Sequence, residues 1–370
     1  MTDGSIRPTD GTTRASATAR AADASTDGHA PAATRPLLVG VDVGGTKIAV
    51  LVVDRDNTVV ASDVAPTEAK PQEYATDIIA SVVETTLSNA HASIDDVRAI
   101  GVGVPGRVDP LTGSVTLAVN LGWSDLRLGP ELEARLGRPT VVENDVRAAA
   151  LGLHRRRVVG KIDNLAYLAV GTGVSAGVML DGSLHRGARG LAGEIGHVIA
   201  EPGGARCACG QDGCLETLIA GSGIARQARA AIAAGRATTM PPEATAVDVY
   251  TAAADGDPLA TEIADAVGRR LAWAIHLLVM AYDVERVVLG GGVSHAGETF
   301  MRPIRHELDR MRASSALARE QLTDDIVELL PPGADAGAWG AVIIAGAAHA
   351  ADGAPVTGQG WEEVGHVRDP

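Results

Sequence analysis

The sequence predicts an α/β protein built from two related halves. Short apolar runs of strand length alternate with longer segments of helical periodicity, which is the pattern of α/β folds. One apolar meander with a glycine turn begins at Leu37 and a second begins at Leu165. The recurrence of this theme predicts that the two halves resemble each other.

In the first half, the apolar run Leu37–Asp42 predicts a buried strand. Further on, Ile78, Ile79, Val82 and Val83 recur with the period of an amphipathic helix. The elements predicted after the first strand are strands over 48–53, 58–64, 97–104 and 139–142 and a helix over 71–90 that begins at Pro71.

The second half repeats strands followed by long helices. An apolar segment at its C-terminal end, Ala336–Ala350, predicts a closing helix. The other predicted elements are strands over 165–170, 176–180 and 287–289, and helices over 146–153, over 257–281 and around Glu298.

Composition limits the function. The chain has 370 residues, room for about two domains. Its formal charge of −14 and its few aromatic residues disfavour binding to nucleic acid or to an anionic membrane. It shows neither an apolar run of about 20 residues nor a signal peptide, so a cytoplasmic location is expected.

The two ends of the chain differ from the rest. Residues 1–35 are mostly small and polar, and such a segment buries too little apolar surface to offset its ordering entropy. We expect a disordered leader there, without the apolar residues of a helix-turn-helix module. A loose tail is expected over residues 353–370.

All three cysteines lie close together and follow a histidine. They are Cys207, Cys209 and Cys214, with His197 upstream. One imidazole and three thiolates form a closed tetrahedral set for a structural Zn²⁺, and the glycines around them predict a tight loop. The alternatives are three buried thiols, or a disulfide with one odd thiol.

Three glycine-containing loops follow predicted strands. The amides of the first two loops, with the Thr46 hydroxyl, are suited to phosphate oxygens, although a Gly-Gly hairpin turn explains the first loop about as well. The third loop, at 290–292, lets a flat ring or a ribose approach the backbone. None matches a P-loop or a dinucleotide-binding fingerprint. Asp42 stands where Mg²⁺ can be held through water, and Lys47 can neutralise phosphate charge. The candidate ATP- and phosphate-binding residues are Asp42, Gly44, Gly45, Thr46, Lys47, Gly171, Thr172, Gly173, Gly290, Gly291 and Gly292.

An acidic triplet, Glu143-Asn144-Asp145, stands between a predicted strand and helix. The carboxyl end of a strand is where α/β proteins place reacting groups. Simple capping of the helix by Asn144 or Asp145 is the alternative.

Taken together, these motifs resemble the ROK family (repressors, open reading frames and sugar kinases) of the actin-like sugar kinase superfamily. The resemblance spans residues 37–350. Its most specific part is the Glu-x-Gly-His and Cys-x-Cys-Gly-x-x-Gly-Cys-x-Glu block, matched at 194–197 and 207–216. The Asp-x-Gly-Gly-Thr, Glu-Asn-Asp and Gly-Thr-Gly motifs match at 42–46, 143–145 and 171–173.

The resemblance implies an ATP- and Mg²⁺-dependent kinase with a structural Zn²⁺. It makes Asp145 the base that deprotonates the sugar 6-hydroxyl. The sugar's other hydroxyls would be bound by Asn144, Glu194, His197 and Glu216. His197 would also ligate zinc through its other ring nitrogen.

The resemblance also implies two actin-like (ribonuclease H-like) domains around a central cleft, and a homodimer. The small domain would comprise 36–120 and 335–352, and the large domain 121–334 with the zinc loop 197–214. The chain departs from the family's kinases after Asp145, where Val146-Arg147 replaces the usual Ala-Asn.

Glucose is the expected substrate. N-acetylmannosamine, N-acetylglucosamine and other hexoses are alternatives, and segments 103–107 and 120–123 would set the specificity. A sugar-responsive repressor is disfavoured by the acidic charge and the leader composition. A zinc-stapled sugar-binding protein without catalysis is the third hypothesis.

Overall fold

The computed structural model describes Met1 and residues 36–67 and 71–350. The predicted tail, and the predicted leader apart from Met1, lie outside these residues. The described part is an α/β protein with two five-stranded sheets, as expected. Among its helices, none is both long enough and apolar enough to cross a membrane.

The first sheet combines an antiparallel meander with two parallel strands. Its order is β3-β2-β1-β4-β8, in which the first three strands are antiparallel and the last two run parallel to β1. A three-stranded sheet, β5-β6-β7, follows β4 along the chain. These strands are β1 (Leu37–Val43), β2 (Lys47–Val53), β3 (Val59–Pro66), β4 (Val97–Val104), β5 (Arg107–Asp109), β6 (Ser114–Ala118), β7 (Trp123–Leu126) and β8 (Thr140–Asn144).

The second sheet repeats the arrangement of the first. Its order is β11-β10-β9-β12-β13, again an antiparallel meander followed by two parallel strands. This equivalence confirms the two related halves. The strands are β9 (Leu165–Val170), β10 (Val174–Leu180), β11 (Ser183–His185), β12 (Arg286–Gly290) and β13 (Val327–Leu329).

Helices cover the sheets. The longest, predicted over 257–281, begins after Asp257, whose carboxylate accepts the Ala260 N–H at 2.9 Å and so caps the helix. The helices are α1 (Ala75–Asn89), α2 (Leu128–Leu136), α3 (Asp145–Arg155), α4 (Glu216–Ile219), α5 (Gly221–Ala233), α6 (Ala246–Ala254), α7 (Pro258–Tyr282), α8 (Glu298–Ser314), α9 (Ala316–Gln321) and α10 (Ala336–Ala350).

Helices α3 and α10 pack together between the two sheets. Helix α10 lies on β1 and β4, whereas α3 lies on β9 and β10. Side chains at Gly152 or Gly340 would overlap carbonyl oxygens of the other helix, so the two backbones are in contact. This pair connects the first sheet to the second.

The first sheet extends past residue 120, where the sequence places the start of the large domain. Strand β8 is its fifth strand, and Leu128, Leu132 and Val142 are buried in one cluster with Val39 of β1. The apolar faces of these later elements are thus covered by the first half. The chain leaves the first sheet after Asn144, the last residue of β8, and its next strand belongs to the second sheet. The division into domains itself stays a prediction.

Candidate active site

Two aspartates meet at the carboxyl ends of parallel strands. Asp42 of β1 pairs in register with Gly103 of β4, which pairs with Glu143 of β8. Asp145 follows directly as the first residue of α3. A Cβ atom at Gly103 would lie 3.4 Å from Asp145 Cα and 3.7 Å from Asp42 Oδ1. The two aspartates therefore flank a position without a side chain.

The N-terminal turn of α10 also packs against Asp42. A Cβ atom at Gly337 would overlap the Asp42 carboxylate, so only a glycine leaves room for it in this position. No sequence motif marks Gly337, because its contact is with a residue at the other end of the chain.

Burial raises the pKa of both aspartates, and a neighbouring negative charge adds to the rise in each. Burial raises the pKa of Asp42 to about 6, with Asp335 adding to the rise and Lys47 opposing it. Burial, followed by the negative charge of Asp42, raises the pKa of Asp145 to about 7. A carboxylate with a pKa near the working pH is well suited to act as a general base.

Asn144 caps helix α3. Its Oδ1 accepts the Arg147 N–H at 3.0 Å, and its Nδ2 donates to the Gly106 carbonyl at 3.1 Å. The capping role considered for the triplet is therefore present. It also ties the turn after β4, a predicted specificity segment, to the start of α3. Contact of Asn144 with a sugar stays a prediction.

Glu143, which the sequence analysis gave no role, is buried between two arginines. Its Oε1 accepts from Arg147 Nε and its Oε2 from Arg186 Nε, each at 2.7 Å. Burial opposes ionisation, but the two guanidinium groups outweigh it and hold the pKa of Glu143 below its ordinary value. The sequence signal for this ion pair was Arg147, a positive charge four residues after Glu143 at the start of an apolar helix.

The first glycine loop joins β1 to β2. The Gly44 N–H donates to the Lys47 carbonyl at 2.8 Å, which closes a tight turn. Gly45, Thr46 and Lys47 are exposed. Their groups are therefore accessible to a ligand, and phosphate binding stays a prediction.

The second and third glycine loops lie side by side. They follow the neighbouring parallel strands β9 and β12. A Cβ atom at Gly171 would lie 3.6 Å from the Gly292 nitrogen. The loop at 171–173 joins β9 to β10 just as the first loop joins β1 to β2, which is the equivalence that the sequence predicted.

Tyr167 of β9, which belongs to none of the predicted motifs, is a buried residue affected by the charges of both aspartates. Burial raises the pKa of the Tyr167 hydroxyl well above its ordinary value, and the charges of Asp42 and Asp145 add to the rise. A Cβ atom at Gly290 would overlap its ring. The only sequence signal for Tyr167 was the presence of an aromatic residue in the predicted strand 165–170.

The predicted metal ligands converge. One ligand atom from each of His197, Cys207, Cys209 and Cys214 lies within 4.8 Å of all the others. Cys207 Sγ is 3.7 Å from His197 Nδ1, and Cys209 Sγ is 3.6 Å from Cys214 Sγ. Zn–S bonds of about 2.3 Å place tetrahedral ligands about 3.8 Å apart, so this donor set fits a structural Zn²⁺. All three cysteines are free thiols, which removes the disulfide alternative.

Glu216 connects the metal cluster to the second glycine loop. Its Oε1 lies 3.7 Å from Cys207 Sγ, and its Oε2 accepts the Val174 N–H at 2.9 Å. A Cβ atom at Gly173 would lie 2.9 Å from this carboxylate and 3.6 Å from Asn120 Nδ2. The second predicted specificity segment thus begins beside Glu216.

Glu194 and His197 lie in the same region. Burial raises the pKa of Glu194, with Glu216 adding to the rise and His197 and Arg147 opposing it. His197 Nδ1 faces the cysteines, which leaves Nε2 as the ring nitrogen for another partner. The predicted sugar-binding residues are therefore neighbours, and their contact with a sugar stays a prediction.

The chain is similar to both kinases and repressors among known proteins. A glucokinase of Halalkalibacterium halodurans is 37% identical over 279 residues, covering 73% of this chain and 84% of that protein. The xylose repressor of Caldicellulosiruptor bescii is 26% identical, covering 74% of this chain and 70% of that protein.

Solved structures agree. A ROK family glucokinase from Streptomyces griseus, in complex with glucose and AMPPNP, has a TM-score of 0.69 at 30% identity, covering 84% of this chain and 99% of that chain. A ROK hexokinase from Thermus thermophilus has a TM-score of 0.65 at 32% identity, covering 84% and 97%. A model described as the ROK family matches residues 38–348. The chain belongs to the ROK family.

Proposed function

We propose that this chain is an ATP-dependent sugar kinase that phosphorylates glucose on its 6-hydroxyl, with Asp145 as general base. The observation that carries the proposal is the aspartate pair at the strand ends, with the pKa of Asp145 raised to about 7. Relatives called glucokinases at 32–37% identity, and the glucose and AMPPNP in the S. griseus enzyme, support the choice of substrates.

In the proposed reaction, Asp145 takes the proton of the sugar 6-hydroxyl as that oxygen attacks the γ-phosphorus of ATP. A new oxygen–phosphorus bond forms, the bond from the γ-phosphorus to the bridging oxygen breaks, and ADP leaves. The proton remains on Asp145 until it is released to water. General-base catalysis of this kind contributes about 10²–10⁴ in rate.

The first two glycine loops are proposed to bind the ATP phosphates with their backbone N–H groups, and the third to let the ring or ribose of ATP approach the backbone. Asp42 would hold Mg²⁺ through water, and this ion would neutralise phosphate charge. The loop at 44–47, with Lys47, and the loops at 171–173 and 290–292 belong to different halves. Closing of the two halves around ATP and sugar would exclude water from the reaction.

The zinc cluster is proposed to support the sugar site. A Zn²⁺ on His197 Nδ1 would leave Nε2 for a sugar hydroxyl, and the cluster would hold Glu216 beside the second glycine loop. Asn144 and Glu194 would bind further hydroxyls, because carboxylates and amides are good partners for them. A cytoplasmic location and a homodimer stay predictions.

A coupled assay of ADP release over glucose, mannose, fructose, allose, N-acetylglucosamine and N-acetylmannosamine tests this function. We expect the highest kcat/KM with glucose. A preference for an N-acetylhexosamine would change the substrate but keep the chemistry. Absence of phosphorylation with every sugar, together with specific binding to an operator DNA, would favour the repressor class represented by the xylose repressor.

A further inference from the structure

Arg147 is a buried charge beside the candidate active site. Its side chain is 2% exposed and that of Glu143 is 1% exposed, and the two form an ion pair with Nε 2.7 Å from Oε1. Arg186 pairs with the other oxygen of the same carboxylate. Burying charges is costly unless they are well paired, so such a cluster calls for a reason beyond stability.

The cluster holds the segment 186–190 at both of its ends. Arg186 donates to Glu143, and Arg147 Nη1 donates to the Gly190 carbonyl at 2.6 Å. The Ala192 N–H donates to the Arg186 carbonyl at 3.1 Å, which closes the segment into a compact loop. Glu194 follows two residues later, so its position depends on how this loop is held.

The anchor and the proposed base lie on the same helical turn. Arg147 follows Asp145 by two residues in α3, and its N–H is bonded to the capping Asn144 side chain. Its charge also acts on both Asp145 and Glu194, whose ionised forms it favours. Among the described residues, its buried Nη2 has no hydrogen-bond partner. A hydrophobic side chain at this position would avoid that cost.

We propose that Arg147 is a positioning residue that holds the 186–194 segment, and with it Glu194, in a fixed position relative to Asp145. In this way it sets the affinity for the sugar. This inference rests on the proposed kinase function. It predicts an effect on the sugar side of the reaction, because the bonds of Arg147 to Glu143 and Gly190 hold the loop that leads to Glu194.

Arg147→Met tests the role. The variant keeps an apolar stem but removes the charge and the fork of donors. We expect the KM for glucose to rise about tenfold, as for the loss of one charge-assisted hydrogen bond, with the KM for ATP within about twofold of wild type. The Kd for glucose without ATP, from titration calorimetry, should rise by a similar factor.

Arg147→Lys is the conservative variant. It keeps the charge but replaces the planar fork by a single ammonium, which cannot reproduce the geometry of the bonds to Glu143 and Gly190. We expect an intermediate glucose KM, about threefold above wild type. If Arg147→Met does not fold, this variant decides the question.

Arg286→Met is the matched control. Arg286 pairs with Glu328 at 2.6 Å and Asp325 at 2.8 Å in the second sheet, so its loss also removes two ion pairs. We expect it to lower the melting temperature without changing either KM.

An unchanged glucose KM in both Arg147 variants would overturn the role. Equal increases in the KM values for glucose and for ATP would also overturn it, because they would indicate a general loss of structural order. A wild-type protein that neither phosphorylates nor binds any sugar would remove the proposed function together with this inference. An active wild type with unaffected variants would remove the inference alone.

Discussion

Asp42 lies beside Asp145 across Gly103, and its negative charge contributes to raising the pKa of Asp145 to about 7. The protonation of Asp145 therefore depends on the charge at Asp42. A cation held at Asp42 would offset that charge and favour the ionised form of Asp145. The arrangement therefore links the loading of the proposed metal–nucleotide site to the readiness of the base.

Asp145→Asn tests the base. Asparagine keeps the shape and can still accept the Val146 N–H, but it cannot take a proton. We expect kcat to fall by about 10²–10⁴ while the Kd for glucose changes less than about threefold. Asp255→Asn, an exposed change at the end of α6, is the control and should leave both unchanged. Unchanged turnover in Asp145→Asn would exclude this base, and a non-catalytic sugar-binding protein would show no turnover in either variant.

The pH dependence follows from the raised pKa values. Asp145 must be ionised to accept a proton, so kcat/KM should rise with pH through an apparent pKa near 7. Asp42→Asn removes the neighbouring negative charge. The rise of kcat/KM with pH, measured on the residual activity of this variant, should therefore move to lower pH. Initial rates at sub-saturating glucose from pH 5.5 to about 8.5 measure both profiles. If kcat/KM rose at the same pH in the variant as in wild type, the effect of the Asp42 charge on Asp145 would be contradicted.

Much of the fold could be predicted because the central strands of the two five-stranded sheets are apolar and buried, as in β4 and β9. Strand β4 lies between two parallel neighbours and all of its residues but Arg98 are buried, so its apolar run is unambiguous. The sheet β5-β6-β7 escaped prediction because its strands are short and only partly buried, as in β6. Strand β13 has three residues, too few for any period to show.

The predicted site residues are those in contiguous motifs, whereas the missed ones act through distant contacts. The metal ligands and the aspartates could be found from local spacing. Gly337 matters only because α10 packs on β1, and Arg186 only because the loop after β11 returns to Glu143. No local pattern carries information of this kind.

Gly337→Ala tests the packing of α10 on Asp42. The added methyl overlaps the Asp42 carboxylate, which must rotate away. Alanine favours helix by about 1 kcal/mol over glycine, so stability should be largely kept. We expect kcat/KM for ATP to fall at least about tenfold, the loss of about 1.4 kcal/mol in transition-state stabilisation. Gly346→Ala in the same helix meets only the flexible end of Leu38 at 3.3 Å and should be neutral. Equal kinetics in both variants would show that the position of Asp42 is not critical.

Cys209→Ser tests whether the metal cluster supports the sugar site. Cys209 is the exposed cysteine of the cluster, so serine removes one thiolate with little effect on packing. Loss of a ligand should release zinc, free the His197 ring and loosen Glu216. We expect less than one zinc per chain by mass spectrometry and a glucose Kd raised at least about tenfold, by analogy with changes around metal ligands. Asp212→Asn, in the same loop, removes only the surface pair with Arg206 at 3.2 Å and should keep both zinc and affinity. Wild-type glucose affinity in a zinc-free Cys209→Ser protein would show that the metal cluster is purely structural and does not influence sugar binding. This conclusion holds whatever the activity of the variant, because the binding measurement does not depend on turnover.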